Sequence, residues 1–437
     1  MSGPQTTWRN WAGTASAVAR EVCGPRDVTE ISKAVTGAAE RGLTVRTRGS
    51  GHSFTEIGAA HGMALDLTGW TGVVSADTET GAVTVRSGTT LATLNAELDR
   101  LGLAMINLGD IDAQTVSGAI STGTHGTGAR LGGISTQVTG LELVLADGSL
   151  VSCSATERPD LFAAARVGLG ALGVITTVSL RTVPSFVLAA EEKPEPLDDV
   201  LASMDERCSA NDHFEFYWFP YGHNALTKTN NRLPDGATPA PLSRAKQFIE
   251  YDVMENALFG TLCRIGRRVP SLVRPLNKLS SAALSPRSYS DLSHKVFVTS
   301  RKVRFVESEY AIPREALADV LGELRTRVPK LADPVMFPVE VRVAAADDIW
   351  LSTAYERDSA YLAIHQFIGM PYRAYFDLFE SIVGAVGGRP HWGKMHTLDA
   401  ETLRTRYPRF DDFRRVRSEV DPERRFTNPY VARVLGS

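Results

Sequence analysis

Cysteine is scarce in this chain. Cys23, Cys153, Cys208 and Cys263 are the only four in 437 residues, and no two stand at CxxC or metal-knuckle spacing. That excludes a disulfide scaffold and a zinc module, and predicts reduced thiols in a cytoplasmic protein. Charge of one sign is also lacking: 47 Lys and Arg against 50 Asp and Glu leave a formal net charge of −3. So small an imbalance argues against nucleic acid or an anionic membrane as the main partner. No apolar run approaches the roughly 20 residues of a membrane helix. The opening MSGPQTTWRNWAGTAS has neither a charged stretch nor an apolar one, so no signal peptide is expected.

What is present is a globular composition, 43% hydrophobic and 22% charged, in a chain long enough for two domains. PRDVTEISKAVTGAAERGLTVRTRG (25–49) reads as helix then strand. Asp27 and Glu30 resemble a capping box, Ile31, Val35 and Ala38 keep helical spacing, and Gly42 supplies the stop. GAVTVRSGTTLATLNAELDRLGL (81–103) gives a strand at Val83 to Val85, then a helix with Leu91, Leu94 and Leu98 on one face. Two such units followed by TVSGAISTGTHGTG (115–128) predict an α+β nucleotide-binding region reaching to about residue 182. Beyond the Pro-rich loop LPDGATPAPLS (233–243), the alternating runs HKVFVTSRKVRF (294–305) and PVMFPVEVRVAA (334–345) predict a large antiparallel sheet in a second domain.

GLGALG (168–173) matches the GxGxxG dinucleotide pattern, but in the wrong context. That fingerprint needs a strand before it and a helix after it. Here helix-like DLFAAARV precedes and strand-like VITTVSLRTV follows, so a tight turn is predicted.

Two glycine-rich stretches each carry a histidine: His52 in RTRGSGHSFT (46–55) and His125 in THGTG (124–128). Such segments offer backbone N–H groups and hydroxyls to a pyrophosphate at close range. A surface or capping histidine is the alternative for His52. In PVEVRVAA, Val339, Val341 and Val343 point to one strand face and Glu340 and Arg342 to the other. Side chains two apart are roughly 7 Å apart, within joint reach of one small molecule. A solvated ion pair would give the same pattern. YLAIHQFIG (361–369) alternates too, with His365 and Phe367 on one face. CRIGRRVPSLVRPLNKL (263–279) is basic and partly amphipathic. A solvated helix face is expected there rather than a membrane contact.

RTRGSGHSFT, TVSGAISTGTHGTG and GLGALGVI, in this order, resemble the FAD-binding half of the vanillyl-alcohol-oxidase superfamily. FPVEVR (337–342), RPHWGK (389–394) and DPERRFTNPY (421–430) narrow the resemblance to its sugar-lactone and alditol oxidase branch. It runs from near residue 20 to the C-terminus. It implies an α+β, two-domain FAD-binding fold of the PCMH type. The FAD domain would span 1–182, completed by 405–437, and an α+β substrate cap 183–404.

The resemblance also implies chemistry. FAD would be bound by Arg48, Gly49, Ser50, Gly51, His52, Ser53, Gly109, Asp110, Thr115, Ser117, Gly118, Ser121, Thr122, Thr124, His125, Gly126, Gly173, Ile175 and Lys394, with no metal. His52 would bond covalently to the flavin 8α-carbon, as the single tether, because residues 110 to 130 contain no cysteine. A sugar-acid 1,4-lactone would lose hydride from a ring carbon to flavin N5. Glu340 would orient and deprotonate its hydroxyl, Arg342 and Lys394 would stabilise the reduced flavin, and His365 would complete the catalytic set. His391 is left open. Phe367, where polyol enzymes carry a small hydroxylated residue, would wall the pocket and favour lactones over alditols. Gly109 would leave the flavin open to O2, giving an oxidase that releases hydrogen peroxide. The alternatives are a dehydrogenase with another acceptor, an alditol oxidase, and a flavin-binding module without catalysis.

Overall fold

The Asp27 side chain accepts from the Glu30 backbone N–H and starts helix Val28–Glu40, which buries Ile31, Val35 and Ala38. Gly42, at φ +64°, ends it in a conformation that costs glycine little. The computed structural model describes residues 7–299 and 301–437. The first six residues of the opening stretch, and Ser300 within the 294–305 run, lie outside the described residues.

The helix covers a three-stranded parallel sheet ordered Glu21–Cys23, Met63–Asp66, Val45–Arg48. Beside it lies a five-stranded antiparallel sheet: Leu150–Ser154, Val138–Val144, Val174–Arg181, Ala82–Arg86, Val73–Asp77. Leu91, Leu94 and Leu98 of helix Leu91–Arg100 enter the core of this region. So do side chains of the C-terminal helices Phe410–Val420 and Pro429–Leu435.

The second half holds an eight-stranded antiparallel sheet. Its order is Arg287–Leu292, Val187–Pro196, Asn224–Arg232, His213–Trp218, Val339–Ala344, Ser359–Phe367, Phe305–Pro313, Arg389–Pro390. One face is apolar. Phe214, Phe216, Val306, Tyr310, Val339, Val341, Leu362 and Ile364 pack there against helices Leu317–Arg327 and Arg373–Ala385. The alternate residues face the first half of the chain, and there the charges stand.

Two strand expectations need correction. Ser293–Phe297 is a short helix that buries Val296 and Phe297, and the strand begins only at Phe305. Alternation over a short run does not distinguish one apolar helical face from a strand face. In the second run the strand starts at Val339, just beyond Pro334 and Pro338, which have no N–H to give a ladder.

GLGALG is a turn between helix Pro159–Ala165 and strand Val174–Arg181, as its context predicts. Leu169 and Gly170 there take positive φ of +54° and +61°. Their carbonyls accept from the buried Arg46 guanidinium at 2.9 and 2.8 Å. Arg46 also donates to Ile57 O at 2.6 Å and Phe426 O at 3.3 Å. Burial lowers its pKa to about 10, so it stays charged and is held by dipoles, paired with no carboxylate among the described residues. Arg46→Lys keeps the charge but cannot fork to four carbonyls. It should cost at least ~3 kcal/mol in urea unfolding, since hydrogen bonds to a charged group contribute about 1.5–3 kcal/mol each. A loss below ~1 kcal/mol would show that the clamp does not hold these segments together.

Candidate active site

Two cavities adjoin, one within the first half of the chain and one between its halves. The first is an open groove. Its walls are small: Gly49, Ser50, Gly51, Ser53, Thr115, Ser117, Gly118, Ser121, Thr122 and Gly173, with Ile175 and the Leu169–Gly170 turn. Several of these glycines sit where a side chain has no room. A Cβ on Gly118 would lie 2.8 Å from Thr115 Oγ1, and one on Gly173 would lie 2.8 Å from Val144 O. The second cavity holds the charges, and the two share His52, Ser53, Gln114 and Thr122.

His52 therefore sits at the junction. Its ring stacks on Trp11 with centroids 6.0 Å apart and makes no hydrogen bond among the described residues. Burial, and then the nearby Lys394, lower its pKa, which keeps the imidazole neutral. A groove of glycines and hydroxyls meeting a neutral histidine at a charged chamber fits an elongated dinucleotide whose ring system ends at the junction.

The chamber floor is the charged face of the eight-stranded sheet. Strand register sets Glu340 beside Tyr217 on one side and Ala363 on the other, and Glu307 opposite His365. Glu340 contacts Arg342, accepts from Tyr217 Oη–H at 3.1 Å, and lies 3.7 Å from Arg301. Arg342 Nε lies 3.0 Å from Glu215, which is 3.5 Å from Lys228. Asp110 contacts Arg301 and lies 3.5 Å from Arg342. Further along, Lys394 Nζ pairs with Glu307 at 2.5 Å and lies 4.0 Å from Glu309, which accepts from His125 Nε2 at 3.0 Å.

Burial would raise all five carboxyls, and only one stays raised. For Asp110, Glu215, Glu307 and Glu309 the neighbouring cations outweigh desolvation, and their pKa values fall. For Glu340 desolvation wins, despite Arg342 and Arg301, because Asp110 and Glu215 stand nearby. Glu340 is thus the carboxylate of this chamber best placed to take a proton. His391 is neutral, lowered to about 4 by burial, and its Nδ1 accepts from the Gly393 N–H at 3.0 Å.

Most of the residues singled out in the sequence line these cavities. Gly109, Asp110, Thr124, His125, Glu340, Arg342 and Lys394 face the charged one. Three do not line either. Arg48 packs over Trp8 at 5.9 Å, with Nε and Nη2 buried and unpaired. Gly126 is a packing glycine, whose Cβ would lie 2.2 Å from Leu108 O. His365 is on the floor face but buried outside both cavities, 3.5 Å from Glu307 and 4.0 Å from Glu340. Phe367 is no pocket wall either: it packs in an aromatic cluster under Arg267, and Phe305 supplies the wall. Sequence reasoning passed over Arg301, Glu307, Glu309, Glu215 and Tyr217.

Residues 178–434 match the D-arabinono-1,4-lactone oxidase family, and residues 19–154 match an FAD-binding domain. The chain is 43% identical to an L-gulono-1,4-lactone dehydrogenase of Mycobacterium tuberculosis, over 98% of this chain and 99% of that one. The chain belongs to the D-arabinono-1,4-lactone oxidase family. It is also 34% identical to the L-gulonolactone oxidase of Bos taurus, with 98% of each chain covered. Among solved structures, a solvent-stable cholesterol oxidase has the same fold at TM-score 0.84 and 20% identity, covering 99% of this chain and 98% of that one. The two-domain α+β flavoprotein fold expected from the sequence is therefore present. Among the described residues no helix is long and apolar enough to cross a membrane.

The Lys394–Glu307 pair carries a pH signature. Burial raises the Glu307 carboxyl, but Lys394 and His365 bring it down to about 2, below its value of 4.5 in an unfolded chain. A depressed carboxylate stabilises the fold above the unfolded value and loses that contribution as pH falls through the folded one. Lys394→Met should remove it, moving the midpoint of acid unfolding, followed by tryptophan fluorescence, to higher pH. An unchanged midpoint would mean that Lys394 does not hold Glu307 ionised.

Proposed function

We propose that this protein oxidises a sugar-acid 1,4-lactone at a ring CH–OH, using FAD held along the small-residue groove and tethered covalently at His52. The observation that carries this reading is the small-residue groove that opens at His52 onto a charged chamber, where Glu340 stands against Arg342 and Tyr217. When bound, FAD supplies a two-electron acceptor for hydride. Glu340 accepts the hydroxyl proton as hydride leaves the carbon, and the hydroxyl-bearing carbon becomes a ketone. Arg342 and Arg301 orient Glu340, and Tyr217 donates to it. Lys394 provides the cation that faces negative charge developing on the cofactor. His365, buried in the floor, positions Glu307 and Glu340 rather than touching substrate. The neutral, unbonded imidazole of His52 at the groove junction supports the tether, because only a free ring nitrogen can form a bond to carbon.

For the acceptor, O2 is the first reading, because Gly109 lines the chamber without a side chain. A second reading, a dehydrogenase serving another acceptor, is favoured by the name of the Mycobacterium tuberculosis relative. Gly109 has a packing reason as well: a Cβ there would stand 3.1 Å from His125 O, so alanine would press on backbone. The acceptor is therefore tested on the unaltered enzyme. After anaerobic reduction with lactone, mixing with aerated buffer should reoxidise the flavin within seconds and release stoichiometric hydrogen peroxide. A flavin that stays reduced for minutes, yet is discharged by a quinone- or cytochrome-like acceptor, makes the protein a dehydrogenase.

Glu340→Gln should lower kcat/KM by roughly 10²-fold or more and abolish the acidic limb of its pH profile. That limb should lie above the ordinary carboxylate range, because burial raises Glu340. Val341→Ala, on the opposite face, should cost about 1 kcal/mol of stability and spare turnover. Steady-state assays over aldonolactones and alditols check both variants and the substrate class. Acid precipitation should leave the flavin in the pellet for wild type and in the supernatant for His52→Ala. Flavin released from the wild type would refute the tether but leave FAD binding intact.

A further inference from the structure

A row of alternating charges crosses five strands of the large sheet on its polar face. Strand register sets Glu215 opposite Lys228, Lys228 opposite Glu192, and Glu192 opposite Arg287. At the inner end Glu215 lies 3.0 Å from Arg342 Nε and 3.5 Å from Lys228 Nζ. At the outer end Arg287 donates to both Glu192 oxygens at 2.7 Å. From the chamber outward the row reads Arg342, Glu215, Lys228, Glu192, Arg287, and the sign changes at every step. The first four are buried. Arg287 also pairs with Glu250 at 3.0 Å and with Glu255 at 3.1 Å, where the row meets solvent.

Each inner ion is shared between neighbours of opposite sign. Arg342 serves Glu340 and Asp110 on one side and Glu215 on the other. Lys228 stands between Glu215 and Glu192. Burial alone would lower its amine, yet Glu215 and then Glu192 raise it. A buried ion is tolerated only beside opposite charge, so each member keeps its place by the balance of its two partners. A change at one end therefore displaces the next. If the pull of Glu192 is removed, Lys228 leans onto Glu215, which then holds Arg342 less and leaves it to Glu340.

We infer that Glu192 and Arg287 are positioning residues for the oxidation. From three and four strands away they set how strongly Arg342 holds the Glu340 carboxylate. The inference rests on the reading of Glu340 as proton acceptor. Besides Arg342 and Glu215, the groups facing Glu340 are Arg301, Asp110, Tyr217 and His365, and none of these belongs to the row. Around Arg287 stand Tyr251, its ring 4.8 Å from the guanidinium carbon, and Tyr289. Burial raises both phenols, so they stay neutral and add no charge to the row.

The pH dependence of kcat/KM for the flavin-loaded full chain, measured with an aldonolactone at low salt, tests this. Strands in a sheet are about 4.8 Å apart, which puts Glu192 about 15 Å from Glu340. Glu192→Gln removes a negative charge and frees Arg342 towards Glu340, so the acidic limb should move down by roughly half a pH unit. Arg287→Gln removes a positive charge and leaves Glu192 to draw Lys228 outward. Its limb should move up by roughly as much. Glu192→Gln with Arg287→Gln removes one charge of each sign and should bring the limb back to that of the wild type. Glu192→Asp keeps the charge and should keep the limb in place. Flavin content and circular dichroism should match wild type throughout. If one single variant does not fold, the other and the double variant decide. Single variants that shift the limb in the same direction, or lower kcat without shifting it, overturn the proposal and leave Glu340 as acceptor. A limb that persists in Glu340→Gln overturns the reading of Glu340 and this proposal with it.

Discussion

The floor of the charged chamber depends on burying each ion beside its opposite. Asp110, Glu215 and Glu340 are matched by Arg301, Arg342 and Lys228, all six in one contact network. Each charge taken out of water costs several kcal/mol, and only close opposite charges offset that cost. Balance is what allows one face of the sheet to be polar while shielded from solvent. It also leaves the set responsive: a proton arriving on Glu340 gives the network a net positive charge. That field favours negative charge on whatever is bound above the floor, so proton uptake and electron arrival assist each other.

How much of this was legible follows from where each residue sits. Glu340 and Arg342 could be read because they lie in a regular strand whose alternate valines go to the core. The same alternation is present in HFEFYW and FVESEYAIP. There Glu215 and Tyr217, then Glu307 and Glu309, share a face opposite Phe214, Phe216, Val306 and Tyr310. The period was visible; what was missing was the pairing of strands that brings the faces together. Strand partners are set by tertiary packing and leave no local mark. Arg301 left no signal at all, since it lies in an irregular segment between a short helix and a strand. Phe367 was misjudged for a related reason: facing the same side as His365 did not put it in the cavity, because an aromatic cluster fills the space beyond.

The groove was legible through glycine and hydroxyl content, and nearly all of its predicted residues line it. The turn set aside as a false dinucleotide fingerprint does line it as well, through Leu169, Gly170 and Gly173. Its main work is elsewhere, offering two carbonyls to Arg46. A pattern can thus be wrong as a fingerprint and still mark a functional surface, because a close backbone approach needs the same residues in either case.

The closing motif DPERRFTNPY reaches back across almost the whole chain. Phe426 O accepts from Arg46, Arg425 donates to Leu43 O, and Asn428 donates to Glu56 O and Ala59 O. The Arg46–Phe426 contact alone spans 380 residues. On the ribosome, at about 5–20 residues per second, the loop that houses His52 waits roughly 20–80 s for the segment that pins it. Until then its polar backbone and the faces of the parallel sheet lack their last partners. The N-terminal loop and its sheet are therefore complete only once the last residues of the chain are in place.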